Sequence, residues 1–264
     1  FLRDERSDRW IVPLLLLLSL FTVYDLFSTS FSWELFHERD FGRAADFVLG
    51  KGLSHLGPEM IGGGNLPGPG LTLLFSFPLL LFRSPVGIHV LMQLMSVSAV
   101  GLVFVMVKRH QNRAIAYLSL AFVLSASNYV FFAYVGWHAG FIAIFNILIL
   151  FFYDRYLVTN QIRYVVIAGI MMGWGVQIHM SMIAMYPAYL LCLFFLNRRN
   201  LLKVVTFALL GTFATFSYYF YMDAQNGFTN SMAILGLLGE ENLRNADLSF
   251  SLPNVLLNIL DIYP

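Results

Sequence analysis

The feature that most constrains the fold is a succession of apolar runs, each about as long as a membrane is thick. A helix needs about 20 apolar residues to cross the hydrocarbon core. We predict seven spans, at Trp10–Ser30, Val86–Val107, Ala114–Phe132, Ala139–Tyr153, Tyr164–Met180, Met182–Leu196 and Val204–Met222. The composition agrees, because 58% of residues are hydrophobic and 12% are charged, against about 25% charged in soluble domains. The sequence therefore predicts an all-α, polytopic transmembrane helical bundle.

An eighth apolar run, Pro69–Phe82, is short for a crossing, and we predict a re-entrant or juxtamembrane helix there. If it does not cross, the Lys and Arg residues divide eleven to five between the two sides. The larger set is Arg3, Arg6, Arg9, Lys108, Arg109, Arg113, Arg155, Arg163, Arg198, Arg199 and Lys203, and the smaller set is Arg39, Arg43, Lys51, Arg83 and Arg244. The positive-inside rule then places the amino terminus in the cytoplasm and the loop 31–69 outside.

The loop Phe31–Pro69 is polar in a chain that otherwise avoids charge, and it holds five of the fifteen acids. Its charged core contains Glu38, Arg39, Asp40 and Arg43. On a helix, Arg39 and Arg43 share a face, as a bidentate grip on phosphate requires. Glu38 and Asp40 diverge by about 200°, so only one of them can face a given substrate. The loop is therefore interpreted as an active site at a membrane surface, and the alternative is a solvated helix start with Asp40 paired to Arg43.

Several segments together resemble a known family. They are Glu38 and Asp40 ahead of Ala44-Ala45, the Gly62–Gly64 turn, Pro67-Gly68-Pro69 before an apolar helix, the stretch Gly173–His179, and Tyr218-Tyr219 followed by Asp223. In this pattern the chain resembles membrane glycosyltransferases of the GT-C superfold, of the protein O-mannosyltransferase and lipid A aminoarabinose transferase type. The resemblance covers nearly the whole chain as one domain, 1–264, with 31–69 as its outer catalytic loop. It departs from the usual pattern where His37-Glu38-Arg39-Asp40 replaces an Asp-Glu pair.

The resemblance implies transfer of a sugar from a polyprenyl-phosphate donor to a lipid, glycan or protein acceptor. The expected location is the outer face of the bacterial inner membrane. Such a reaction needs a carboxylate to accept the acceptor's proton and positive charge to stabilise the departing phosphate. We predict Asp40 as the base with Glu38 as the alternate, and Arg39 and Arg43 as donor-phosphate ligands.

Other residues are weaker candidates for the same site. Glu59 and His179 are predicted ligands of a divalent metal ion, although a His at a helix end commonly bonds to backbone instead. Predicted substrate-binding residues are Asn65, Tyr134, Trp137, His138 and Asp223. The alternative for the aromatic members of this set is an interfacial belt.

Two other functional classes stay open on the sequence alone. A transporter or flippase of a lipid-linked substrate would concentrate ionisable residues near the bilayer midplane, whereas no acid occurs between Glu59 and Asp154 or between Asp154 and Asp223. A structural membrane subunit would explain the spans but not the acidic loop. We also expect the sequence to be a fragment truncated at its C-terminus, because a new apolar stretch opens at Val255.

The charge distribution predicts which loops share a side of the membrane. Single cysteines at Ser54 and Asn112, in a background without Cys192, should react with an impermeant thiol reagent from opposite sides. Reaction of both from one side would contradict the assignment of the loop 31–69 to the outer face.

Overall fold

The computed structural model describes residues 35–60, 64–125, 138–196 and 200–237. They form α1 (Leu35–Val48), β1 (Leu56–Glu59), β2 (Asn65–Pro67), α2 (Gly70–Phe82), α3 (Val86–His110), α4 (Arg113–Ser125), α5 (Phe141–Thr159), α6 (Arg163–Ile178), α7 (Met185–Leu196), α8 (Leu201–Gln225) and α9 (Thr229–Leu237). Short 3-10 helices precede α5 at His138–Gly140 and α7 at Met180–Ala184. The predicted all-α helical bundle is confirmed, with one small antiparallel pair, β1 and β2, that the sequence did not predict.

Three of the described helices are long and apolar enough to cross a membrane, namely α3, α5 and α8. They cover the predicted spans that begin at Val86, Ala139 and Val204. Helices α4, α6 and α7 are apolar but shorter. The predicted span Trp10–Ser30 and the end of Ala114–Phe132 lie outside the described residues.

Helix α6 is the centre of the bundle and packs against α5 on one side and α8 on the other. Glycines allow its backbone to approach α8 closely. A Cβ atom added to Gly169 would lie 2.1 Å from the carbonyl oxygen of Ala208, and one added to Gly211 would lie 2.3 Å from that of Val166. The hydroxyl of Thr212 uses this proximity to donate a hydrogen bond of 3.0 Å to the Gly169 carbonyl.

The helices define two ends of the bundle. The site end contains His138 before α5 and His179 after α6, whose rings lie 5.4 Å apart. The far end contains Asp154 near the end of α5, which pairs with Arg109 at the end of α3, and Arg163 at the start of α6. Helices α3 and α5 therefore run from the site end to the far end, and α6 returns.

Helix α2 stays at the site end. Its first residue, Gly70, donates a backbone hydrogen bond of 2.9 Å to Gln177 at the end of α6. In its middle, the Phe75 ring lies 6.2 Å from that of Phe141 at the start of α5. Because only three residues connect α2 to α3, and α3 runs to the far end, α2 does not cross. Its outward side chains Phe77, Leu80, Leu81 and Phe82 are each more than half exposed, as suits a juxtamembrane helix.

The close approach of α6 and α8 predicts a steric effect at Gly169. Gly169→Ala should lower the free energy of unfolding by about 1–3 kcal/mol, because the added methyl group would overlap the backbone of α8. Gly236→Ala in α9 is the matched control, since nothing lies within 4 Å of the added atom. Thermal unfolding in detergent should show a lower Tm for Gly169→Ala only, and equal Tm values for the two variants would contradict the packing.

Candidate active site

The site end is built around Asp40, which α1 directs into the bundle. Asp40 is 4% exposed, and Ala44, one helical turn later, is fully buried. Glu38 is exposed to solvent. Of the two acids predicted as the base, the structure thus places only Asp40 inside the protein.

Two arginines flank the Asp40 carboxylate and also anchor α1 to the strands. Arg39 Nε lies 3.8 Å and Arg43 Nη1 lies 4.0 Å from Asp40 Oδ1. Arg39 Nη1 forms an ion pair with Glu59, and Arg43 Nη1 donates a hydrogen bond to the Gly57 carbonyl. The predicted pair of arginines is therefore close to the predicted base, and strand β1 holds one nitrogen of each guanidinium.

Two histidines complete the surroundings of Asp40. His138 Nδ1 lies 3.8 Å from Asp40 Oδ2, and the His138 ring in turn packs against the ring of His179 at 5.4 Å. His138 comes directly before α5 and His179 directly after α6. Hence three separate helices, α1, α5 and α6, bring polar groups to one place.

Asp40 is unusual because one of its carboxylate oxygens contacts both arginines at ion-pair distance but has no hydrogen-bond partner among the described residues. Asp40 Oδ1 and Arg39 Nε are buried and have no hydrogen-bond partner within the described part of the chain. Buried polar atoms in native proteins are nearly always paired, and an exception is typical of a functional group. Burial raises the pKa of Asp40 from 3.8 to about 6, although the positive charges of Arg39 and Arg43 act in the opposite direction. The carboxylate can consequently exchange a proton near neutral pH.

The two predicted metal ligands have other partners. Glu59 is half exposed and pairs with Arg39. His179 Nδ1 accepts a hydrogen bond of 3.2 Å from the backbone N–H of Ser181, so its neutral ring carries the proton on Nε2. In residues 35–60, 64–125, 138–196 and 200–237, no group of three or more His, Cys, Asp or Glu side chains is arranged to hold a metal ion.

Asn65 and Asp223 belong to a hydrogen-bond network that fixes α9 to the strands. The backbone N–H of Asn65 donates to Asn230 Oδ1 at 3.0 Å, and Asn230 Nδ2 donates to the Asn65 carbonyl at 2.9 Å. Asp223 is fully buried and accepts the backbone N–H groups of Asn230 and Ser231, each at 3.1 Å. Those contacts satisfy free N–H groups at the start of α9, a capping role. The predicted substrate ligands Tyr134 and Trp137 lie outside the described residues.

The role of the strands could not be read from the sequence. Arg39 and Glu59 are 20 residues apart. The group that accepts the hydrogen bond from Arg43 is the backbone carbonyl of Gly57, so no side chain in the sequence indicates this contact. Glycine at position 57 does have a steric reason, because a Cβ atom there would lie 3.1 Å from each of three carbonyl oxygens, those of Gln177, Gly68 and Leu66. The one available signal was a Gly-Pro pair next to an isolated acid.

An apolar groove opens at the site end, on the β2 side of the strand pair. Its volume is about 460 Å³, and α6, α8, α9 and the 3-10 helix before α7 form its walls. Its lining includes Pro67, Val176, Phe216, Tyr219 and Ile234. Such a surface matches an aliphatic chain better than a free sugar.

Comparison with known proteins gives one match. The family model described as dolichyl-phosphate-mannose-protein mannosyltransferase matches residues 67–221, which is more than half of the chain. No curated protein and no solved structure matches the chain. The matched range includes His138 and His179 but begins after Asp40, which is a candidate because of its burial and its charged neighbours.

The raised pKa of Asp40 predicts that this residue lowers stability at neutral pH. The unfolded chain releases the Asp40 proton near pH 3.8 and the folded chain near pH 6, so the folded state binds more protons between these values. The contribution of Asp40 to the free energy of unfolding is thus fully present below pH 3.8 and is lost as the pH rises through 6. Asp40→Asn should therefore stabilise the protein at pH 8, by an amount on the order of 3 kcal/mol.

The measurement is Tm in detergent across pH 4 to 8. The increase in Tm of Asp40→Asn over the unaltered protein should become smaller as the pH falls through 6. Asp46→Asn is the matched control, because Asp46 is exposed and pairs with Lys51 at the surface. A destabilised Asp40→Asn at pH 8 would show that the carboxylate holds the fold together instead of straining it.

Proposed function

Because the chain belongs to the dolichyl-phosphate-mannose-protein mannosyltransferase family, we propose that it transfers a sugar from a polyprenyl-phosphate donor to a lipid, glycan or protein acceptor. The chain is a membrane glycosyltransferase. The donor, the acceptor and the site of action at the outer face of the membrane are proposed. The observation that carries the proposal is the buried Asp40 carboxylate, which lies between two arginines and has one oxygen without a hydrogen-bond partner in the part of the chain that the structure describes.

Asp40 would act as the general base. In the proposed step the hydroxyl oxygen of the acceptor forms a bond to C1 of the sugar, and the bond between C1 and the phosphate oxygen breaks. The hydroxyl proton passes to Asp40, and the electron pair leaves with the polyprenyl phosphate. A base works best when its pKa is close to the working pH, and about 6 for Asp40 meets this condition.

The arrangement of acids favours a single displacement with inversion at C1. A double displacement needs a second carboxylate as nucleophile, about 5 Å from the first. Glu38 is exposed and Glu59 is engaged by Arg39. Asp40 is thereby the acid that lies between the two arginines and beside His138, and we assign the role of base to it alone.

Arg43 is the better placed of the two arginines to hold the phosphate. Arg39 forms a close ion pair with Glu59, whereas Arg43 lies 4.0 Å from the Asp40 carboxylate and donates one N–H to a neutral carbonyl. A guanidinium has five N–H donors, and a phosphate can use two of those that remain on Arg43. The apolar groove beside β2 supports a lipid-linked donor, since a polyprenyl chain needs an apolar surface near the phosphate.

The family assignment favours this function over the transporter, flippase and structural-subunit alternatives. A divalent metal ion at Glu59 and His179 stays a prediction. The positive-inside rule supports a site end that faces outward and an amino terminus in the cytoplasm, as in a bacterial inner membrane.

The proposed roles predict the effect of substitutions on transfer of labelled mannose from polyprenyl-phosphate mannose to acceptors in membranes. Asp40→Asn should reduce the rate by about 10²- to 10⁴-fold, as expected for loss of a general base. For the unaltered protein kcat/KM should rise with pH through about 6, where Asp40 ionises. Arg43→Lys should raise the KM for the donor, because Lys keeps the charge but loses the bidentate fork.

Asp46→Asn serves as the control, since its carboxylate is exposed, and it should retain nearly full activity. If Asp40→Asn stays active while Glu38→Gln is inactive, the base is Glu38. If neither substitution matters, α1 does not carry the active site. Absence of transfer by the unaltered protein with any polyprenyl-phosphate sugar would contradict the donor class.

A further inference from the structure

The far end of the bundle carries a cluster of arginines that the proposed transfer reaction does not use. It consists of Arg109 at the end of α3, Arg155 in the last turns of α5 and Arg163 at the start of α6. We call these three residues the far-end arginine cluster. It is separated from Asp40 by the length of α5.

Among the described residues, the acid at this cluster is Asp154, and both of its oxygens already have partners. Asp154 is buried and accepts Arg109 Nη1 on one oxygen and the His110 ring on the other. Within the described ranges no carboxylate pairs with Arg155 or Arg163. Burial lowers the pKa of Arg109, and the positive charge of Arg155 lowers it further. The cluster thus holds excess positive charge that an anion would neutralise.

Tyr164 holds two of the arginines in place. The guanidinium carbons of Arg155 and Arg163 lie 5.7 Å and 5.1 Å from the centre of its ring, and Arg163 Nη2 donates to its hydroxyl at 3.4 Å. The ring of Phe152 stacks on the ring of Tyr164, with the ring centres 6.5 Å apart. Cation–π contacts fix guanidiniums while their N–H groups stay available to a ligand.

The surroundings of the cluster identify the kind of anion. Leu157 and Val158 on the last turns of α5 are 40% and 53% exposed, and Leu202 at the start of α8 is 82% exposed. In a membrane protein such side chains contact acyl chains. The charged cluster therefore lies where the hydrocarbon surface of the bundle ends, at the level of lipid headgroups.

We propose that the far-end arginine cluster binds the phosphate of an anionic membrane phospholipid, with its acyl chains against the apolar side of α5. The site is independent of the proposed transferase function, because it lies at the opposite end of the bundle. Arg155 and Arg163 supply the headgroup contacts, and Tyr164 positions them. Arg109 stays paired with Asp154 and adds a longer-range attraction.

The test is lipid binding by native mass spectrometry of the full chain in neutral detergent. The probes are short-chain phosphatidylglycerol, phosphatidylcholine of the same chain length, and inorganic phosphate. The unaltered protein should retain phosphatidylglycerol in preference to phosphatidylcholine. The double variant Arg155→Gln/Arg163→Gln should bind phosphatidylglycerol about thirtyfold more weakly, which corresponds to about 2 kcal/mol for two basic residues.

Arg113→Gln is the matched control, because Arg113 lies 5.6 Å over a tyrosine ring, that of Tyr117, in the same manner, but on α4 and outside the cluster. It should bind phosphatidylglycerol like the unaltered protein. If the double variant does not fold, Arg163→Gln alone serves, since Arg163 is exposed, and the expected loss is about fivefold.

Three outcomes would overturn the proposal. Equal retention of the two phospholipids by the unaltered protein would show that headgroup charge is not recognised. Displacement of phosphatidylglycerol by inorganic phosphate at low millimolar concentration would show a free-phosphate site instead of a lipid site. An equal loss in Arg113→Gln and in the double variant would show a diffuse basic surface.

Discussion

The side-chain amide of Gln177 is the interaction on which the site end depends. Gln177 is 2% exposed, and its oxygen accepts the backbone N–H of Gly70 while its nitrogen donates to the Thr215 carbonyl at 2.8 Å. One residue of α6 therefore fixes the start of α2 and the middle of α8. The contact requires glycine at position 68, where a Cβ atom would lie 2.4 Å from the Gln177 amide. Loss of this amide would leave buried donors and acceptors unpaired, and each such group costs about 1–3 kcal/mol.

The sequence predicts the parts of this structure that depend on local composition. Hydropathy is averaged over a whole span, so the sequence predicts α3, α5 and α8. Helical geometry alone predicts that Asp40 and Glu38 point in different directions. The contacts of the residues around Asp40 cannot be predicted from local composition. The pairing of Arg39 with Glu59 and the bond from Arg43 to Gly57 depend on a short strand pair that has no hydrophobic alternation. In the same way the chain shows an isolated Asp223 but not the α9 backbone that it caps, so its carboxylate is easily read as a substrate ligand.

Burial of Asp40 is stable only because α1 is held at several points. The Ser76 hydroxyl oxygen of α2 lies 3.4 Å from the Ala44 carbonyl oxygen, and Arg43 donates a hydrogen bond to the Gly57 carbonyl on β1. These contacts prevent α1 from turning Asp40 toward water. The fold thereby supports a carboxylate whose charge is poorly solvated, which is a common arrangement for catalytic groups. The strands and α2, which carry no candidate base themselves, are positioning elements for the one that does.

The charges around Asp40 also explain how a single site could act on both ends of the reaction. With Asp40 and Glu59 ionised, their two negative charges balance those of Arg39 and Arg43. In the proposed reaction the acceptor proton neutralises Asp40, and Arg43 loses its nearest negative neighbour. At the same moment the bond from C1 to the phosphate oxygen breaks, and the departing polyprenyl phosphate gains one negative charge. Once Asp40 is protonated, the positive charge of Arg43 is no longer balanced by it and can stabilise the departing phosphate. Proton transfer and phosphate departure therefore assist each other electrostatically.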